Sequence, residues 1–259
     1  MHILLTNDDG IESTGLGVLS DALTDLGEVT VVAPAEDQSA VGRTLSNHVT
    51  VAEHERGYAV DGTPTDCVVA GLGSLCPDVD LVVSGCNQGA NLGEYVLGRS
   101  GTISAAVEAT FFSIPAIAVS LYIPGGDIEF REYATSEAEY REAIRATTHL
   151  AEGALDDGIF EHADYLNVNA PIPERTTEEP VPMEVTYPSA VYEMTAVREE
   201  RELTLKDRIW QQMEAGEISD PDGSDRRAIL EGKVSVSPLT APHTTERHEA
   251  LDSLAERYR

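Results

Sequence analysis

Positive charge is what this sequence has least of. Among its 17 basic residues are two lysines, Lys206 and Lys233, set against 46 Asp and Glu for a net charge of -29. That balance argues against nucleic-acid backbones and anionic membrane surfaces as partners, since both need a basic footprint. Cysteine is scarce too. Cys67, Cys76 and Cys86 are odd in number and form no CxxC pair, so they read as small buried residues of a reduced cytosolic protein, not as a zinc site or disulfide framework. No apolar run approaches the roughly 20 residues of a membrane span. The amino terminus lacks a cationic leader, and the expectation is a cytoplasmic protein.

What is present suffices for a folded domain. With 259 residues and 41% hydrophobic content, the chain can bury a large α/β core. An acidic, lysine-poor surface points to a salt-rich cytosol, where screening over about 3 Å at 1 M weakens self-repulsion. An ordinary acidic mesophilic protein is the alternative.

The richest segment is Ile3-Leu4-Leu5-Thr6-Asn7-Asp8-Asp9-Gly10, an apolar run that stops at two carboxylates and a glycine. It reads as a buried strand with its turn. Ligands of open α/β sheets collect outside the carboxyl ends of such strands, which puts Asp8 and Asp9 where chemistry would be done. Two carboxylates about 4 Å apart repel by roughly 4 kcal/mol at an effective dielectric of about 20, so a bound cation or shared proton is expected. A solvated acidic turn is the plainer reading.

Similar units follow. Leu16, Leu19, Leu23 and Leu26 mark a helix over 15–26, and strands are expected at 28–33, 50–53, 58–60, 81–84 and 116–121. Helices are expected at 64–72 and 103–112. The alternation predicts a Rossmann-like, mainly parallel sheet sandwiched by helices. Beyond Gly126 the pattern weakens: a helix over 132–152, a strand at 165–168, prolines between Pro171 and Pro188, paired extended segments at 185–197 and 202–210, a strand at 233–236 and a terminal helix at 246–258. The division expected is a catalytic core over 1–185 and, over 186–259, an extended hairpin and C-terminal arm serving oligomerisation.

Four loops carry groups suited to a metal and a phosphate. Asp8 and Asp9 are hard oxygen ligands for magnesium, manganese or calcium. Ser39 offers a neutral hydroxyl, and Asn87 and Asn91 stand among glycines that admit close backbone approach. Ser100-Gly101-Thr102 opens a helix whose free amides suit an oxyanion. The first 125 residues contain three cations, Arg43, Arg56 and Arg99; Arg43 and Arg99 lie in these loops, placed to meet an anionic substrate or to pair with surface carboxylates.

Rival motifs fail on particulars. Gly10 to Gly15 has the glycine spacing of a Walker A loop without its Lys-Ser or Lys-Thr. Gly15-Leu16-Gly17 lies inside a helical pattern, against a dinucleotide fingerprint. Gly10 stands where a haloacid-dehalogenase-type phosphatase needs its second Asp, and strand 81–83 ends in Ser84 where a receiver domain needs its acceptor Asp.

Taken in order, LLTNDDG, VVAPAEDQSAVGR, GTPTDCV, LVVSGCNQGANLG, SGTISAAVEA and IPAIAVS closely resemble the SurE family of survival-protein nucleotidases, with weaker likeness at LNVNAP and VSVSPL. The resemblance implies a phosphatase that uses one divalent ion, Mg2+ or Mn2+, on nucleoside 5′- and 3′-monophosphates. It implies metal ligands at Asp8, Asp9, Ser39 and Asn91, a phosphate loop at Ser100, Gly101 and Thr102, and Asn87 and Gly42 in the surrounding cleft. It also implies a homodimer or homotetramer exchanging its C-terminal arm. Arg99 departs from the aromatic residue usual before SGT, adding a guanidinium beside the phosphate. A metal- and nucleotide-binding sensor or assembly protein is the competing class.

Overall fold

The computed structural model describes residues 1–124, 133–154, 158–172, 179–241 and 249–257. The first half is built as its apolar periodicity predicts. Strands β1 (His2–Thr6) and β2 (Glu28–Pro34) flank helix α1 (Thr14–Leu23), and a short antiparallel pair, β3 (Val51–His54) and β4 (Gly57–Val60), follows. Helix α2 (Pro64–Ala70) starts at a capping box in which Thr63 and Asp66 each accept the other's backbone N–H, satisfying two amides that a helix start leaves open. A π-helical turn, Gly71–Leu75, leads to β5 (Leu81–Gln88).

The β5 strand runs four residues past Ser84, where the sequence pattern breaks. A register shift between Ser84 and Asn87 absorbs the irregularity, and pairing resumes with Asn87 opposite Ser120. Gly85, at φ +142°, permits the kink because any Cβ there would fall 2.3 Å from the Val119 carbonyl oxygen. The single turn α3 (Glu94–Leu97), helix α4 (Gly101–Phe111) and β6 (Ala116–Tyr122) complete this half.

Helix α5 (Arg141–Gly153) follows a 3-10 turn, Glu137–Tyr140, and β7 (Tyr165–Pro171) extends past the expected 168. Then come β8 (Met183–Val185), the hairpin β9 (Met194–Glu199) and β10 (Glu202–Asp207), α6 (Ile209–Ala215), α7 (Asp225–Leu230), β11 (Val234–Leu239) and α8 (Glu249–Glu256). Residues 132, 246–248 and 258 of the two expected helices lie outside the described residues.

Nine strands form one sheet in the order β3-β4-β2-β1-β5-β6-β7-β11-β8, and β9 with β10 forms a separate ribbon. Neighbours from β4 through β7 are parallel, while β11 is antiparallel to β7 and parallel to β8. Chain from both sides of residue 186 therefore shares this sheet. Alternation along β1 divides the core: Ile3 and Leu5 pack with Leu16, Leu19 and Leu23 of α1 and Ala143 of α5, whereas Leu4 packs with Val68 of α2 and Ile103 and Ala106 of α4. Successive strand residues face opposite sides, so one apolar run holds both helical layers.

Candidate active site

The parallel strands β1, β2 and β5 end on the same side of the sheet, and their loops meet there. At the end of β1 the buried Asn7 closes the turn, its Nδ2 donating to Gly10 O at 2.9 Å and to Ser13 Oγ at 2.7 Å. Ser13 also caps α1. The second loop is tied on where Gln38 N donates to Asp8 O at 2.7 Å.

The two carboxylates diverge in environment. Asp8 is buried; its Oδ1 accepts from Thr102 Oγ1 at 2.6 Å and its Oδ2 from Thr102 N at 3.1 Å. Asp9 Oδ2 accepts from Gln88 N at 2.9 Å. Burial pushes the Asp8 carboxyl above its ordinary range, against the opposing pull of the Thr102 hydrogen bonds. Burial, then the neighbouring Asp8 charge, pushes Asp9 up to about 7.

These residues open on a cleft of about 860 Å³, within the range of small-molecule sites. Of the residues singled out in the sequence, Asp8, Asp9, Ser39, Asn87, Asn91, Arg99 and Ser100 line it, and Gly42, Arg43, Gly101 and Thr102 do not. Thr102 spends its amide and hydroxyl on Asp8. Gly101 lies against the same side chain, where an added Cβ would sit 2.7 Å from Asp8 Cβ. Gly42, at φ +63°, donates its N–H to Arg99 O at 3.0 Å. Arg43 turns to α4, its Nε and Nη2 donating to Glu108 Oε2 at 2.9 and 2.8 Å, and its guanidinium lies 4.4 Å from the Phe111 ring centre. Arg99 lies 4.0 Å over Tyr95, which stacks on Tyr192 at 5.3 Å. It is the one Lys or Arg lining the cleft among the described residues.

The donors present suit a hard divalent ion. Ser39 gives its hydroxyl proton and its amide to Asp37 Oδ1, which leaves the hydroxyl lone pairs available. Asn91 Nδ2 donates to Ser120 Oγ at 2.9 Å, which fixes its Oδ1 as the end that could meet an ion. Among the described residues no three His, Cys, Asp or Glu side chains converge as a metal cage. The set is instead two carboxylates and two neutral oxygens, as befits an ion such as Mg2+ that keeps part of its water.

Several cleft residues were not singled out in the sequence. Tyr140 comes from the 3-10 turn, and Met194, Leu205, Asp207 and Trp210 come from the hairpin and α6. Asn167 and Asn169 of β7 hold Asn91, donating to its carbonyl at 2.9 and 3.1 Å, while Asn169 Oδ1 accepts from Asn91 N at 2.8 Å. The signals were the single tryptophan and the alternating asparagines of LNVNAP.

The family model described as "Survival protein SurE" matches residues 3–193. The chain belongs to the SurE family. A "5′-nucleotidase SurE" of Haloarcula marismortui is 63% identical over 257 residues, covering 99% of this chain and 94% of the relative. Another, from Haloquadratum walsbyi, is 59% identical over 260 residues, covering 100% and 97%. The crystal structure of SurE protein from Aquifex aeolicus superposes with a TM-score of 0.79 at 32% identity, covering 99% of this chain and all of that one. The α/β architecture expected from the sequence is thus that of a SurE protein. No described helix is long and apolar enough to cross a membrane.

Proposed function

We propose that this SurE-family chain is a 5′-nucleotidase that hydrolyses nucleoside 5′- and 3′-monophosphates to nucleoside and phosphate with one Mg2+ or Mn2+. The observation that carries the reading is that Asp8 and Asp9 line one cleft with Ser39, Asn91 and Ser100, in a chain of this family. Asp8, Asp9, Ser39 and Asn91 would hold the ion, which when bound supplies Lewis acidity and a water of lowered pKa.

The chain's own groups do the remaining work. Asp8, with both oxygens fixed by Thr102, orients the attacking water or accepts its proton. Ser100, which lines the cleft at the helix start, meets the phosphoryl oxygens, with Arg99 and Asn87 beside it. Ile103 N and Thr102 N are already bonded to Ser100 Oγ and Asp8, so neither amide is left for the phosphate. With both aspartates assigned to metal, water attacks phosphorus directly as the bond from phosphorus to the nucleoside oxygen breaks and the nucleoside leaves in line; trapping a phosphorylated Asp8 would overturn that step.

The reading extends to assembly as a homodimer or homotetramer through the arm after residue 186. Its support is the apolar exposure of Val197, Leu203 and Leu205 on the hairpin, and light scattering across salt concentrations tests it. The enzymatic test is phosphate release from 5′- and 3′-nucleoside monophosphates in molar salt, with Mg2+, Mn2+ or chelator, beside Asp9→Asn. Metal-dependent release lost in the variant is the expected result. No release from folded wild-type protein under any condition would move the chain to a sensor or assembly role.

A further inference from the structure

A buried ionic cluster outside the catalytic loops, and outside the residues matched by the family model, fastens the loop that carries Asn91. Asp225 Oδ2 accepts from Gly93 N at 2.6 Å, and its Oδ1 accepts from Ser189 N at 3.0 Å. One carboxylate thus grips two segments far apart in sequence. Arg226 is fully buried, ion-paired to Asp220 at 3.2 Å, and its guanidinium donates to Val191 O at 2.6 Å and to Leu92 O at 3.4 Å. The seat is tight: a Cβ on Gly93 would lie 2.1 Å from Arg226 Nη2. Glu94 N closes the junction on Ser189 O at 2.9 Å, and Leu92 packs against Met213 and Ile229.

Two walls of the cleft therefore share one anchor. One lining residue, Asn91, heads the 91–94 loop; another, Met194, follows the 189–191 segment by three residues. We propose that Asp225 and Arg226 are positioning residues that set where Asn91 stands relative to Asp8 and Asp9, and so set the affinity of the site for its divalent ion. Groups that orient a ligand from behind change metal affinity by about 10- to 100-fold when removed. This inference rests on the assignment of Asn91 as a ligand in the proposed function.

The test is a Mn2+ titration of the full chain followed by electron paramagnetic resonance, with a parallel thermal melt. Wild type is compared with Asp225→Asn, Arg226→Lys and a control, Glu142→Gln, which changes a buried carboxylate paired with the part-exposed Arg141 and Arg145 and not lining the cleft. The expected result is Mn2+ affinity about tenfold weaker in both cluster variants, unchanged in the control, with kcat recovering as Mn2+ is raised to saturation. Wild-type affinity in both cluster variants overturns the inference, as does an equal loss in the control. If Asp225→Asn does not fold, the milder Arg226→Lys decides. A wild-type chain that binds no Mn2+ removes the metal assignment itself, a failure visible before any substitution is made.

Discussion

Thr102 gives both of its donors to Asp8, hydroxyl to one carboxylate oxygen and amide to the other, at 2.6 and 3.1 Å. Helix α4 thereby orients a carboxylate that sits almost without solvent. Hydrogen bonds to buried charges contribute about 1.5–3 kcal/mol. Thr102→Val, which keeps the shape and loses the hydroxyl, should lower kcat/KM for phosphate release by roughly tenfold to a hundredfold. Thr102→Ser should stay near wild type, and a full loss there would mean that the methyl group, not the hydroxyl, matters.

Gly101 is needed for how near it lets Asp8 come. Alanine is the better helix former by about 1 kcal/mol, so a purely helical role predicts stabilisation by Gly101→Ala. The added Cβ would meet Asp8 Cβ at 2.7 Å and Oδ2 at 2.8 Å. The expected outcome is a folded protein whose Mn2+ affinity falls by about tenfold or more, measured by titration beside circular dichroism.

The two arginines of the catalytic loops should separate cleanly. Arg43 is bound by Glu108 at the surface, an exposed pair of the kind that contributes at most about 1 kcal/mol. Arg43→Ala should leave KM unchanged and shift stability slightly. Arg99 lines the cleft, and Arg99→Ala should raise KM for nucleoside monophosphates by about tenfold, the loss of one charge-assisted hydrogen bond.

Asp9 makes the metal-free protein pH-sensitive in a defined direction. Its carboxyl is raised from 3.8 to about 7, so the folded state holds a proton that the unfolded chain has already released. Its contribution to stability is present below about pH 4 and is lost as pH rises toward and through 7. In chelator, wild type should lose melting temperature relative to Asp9→Asn between pH 5 and pH 8. Added Mg2+ or Mn2+ should restore more of it at pH 8. A wild-type-minus-variant difference that grows with pH in chelator would contradict the raised carboxyl of Asp9.

The legible parts of the chain were those where one local signal suffices. An apolar run ended by Asn7-Asp8-Asp9-Gly10 announces both a strand and the cleft that its end opens on, and the leucine spacing of α1 fixes its buried face. What depends on tertiary approach was hidden. Arg43 and Arg99 look alike in sequence, yet only the fold sets one against Glu108 and the other over Tyr95. Thr102 reads as a phosphate ligand until its donors are seen to meet Asp8. Helices α6 and α7, of seven and six residues, are too short for periodicity to register. In β11 the alternation VSVSPL announces a strand, but no local rule says which strands it joins.

The location of β11 has a consequence for how the chain comes into being. Residues 234–239 are inserted between β7 and β8, so this part of the sheet stays open until β11 has been synthesised. A ribosome that stops early releases a chain in which β7, buried along its full length in the finished protein, presents a bare row of amides and carbonyls to any neighbour. Closing β11 onto β7 covers that edge, and with it the strand whose Asn167 and Asn169 hold Asn91.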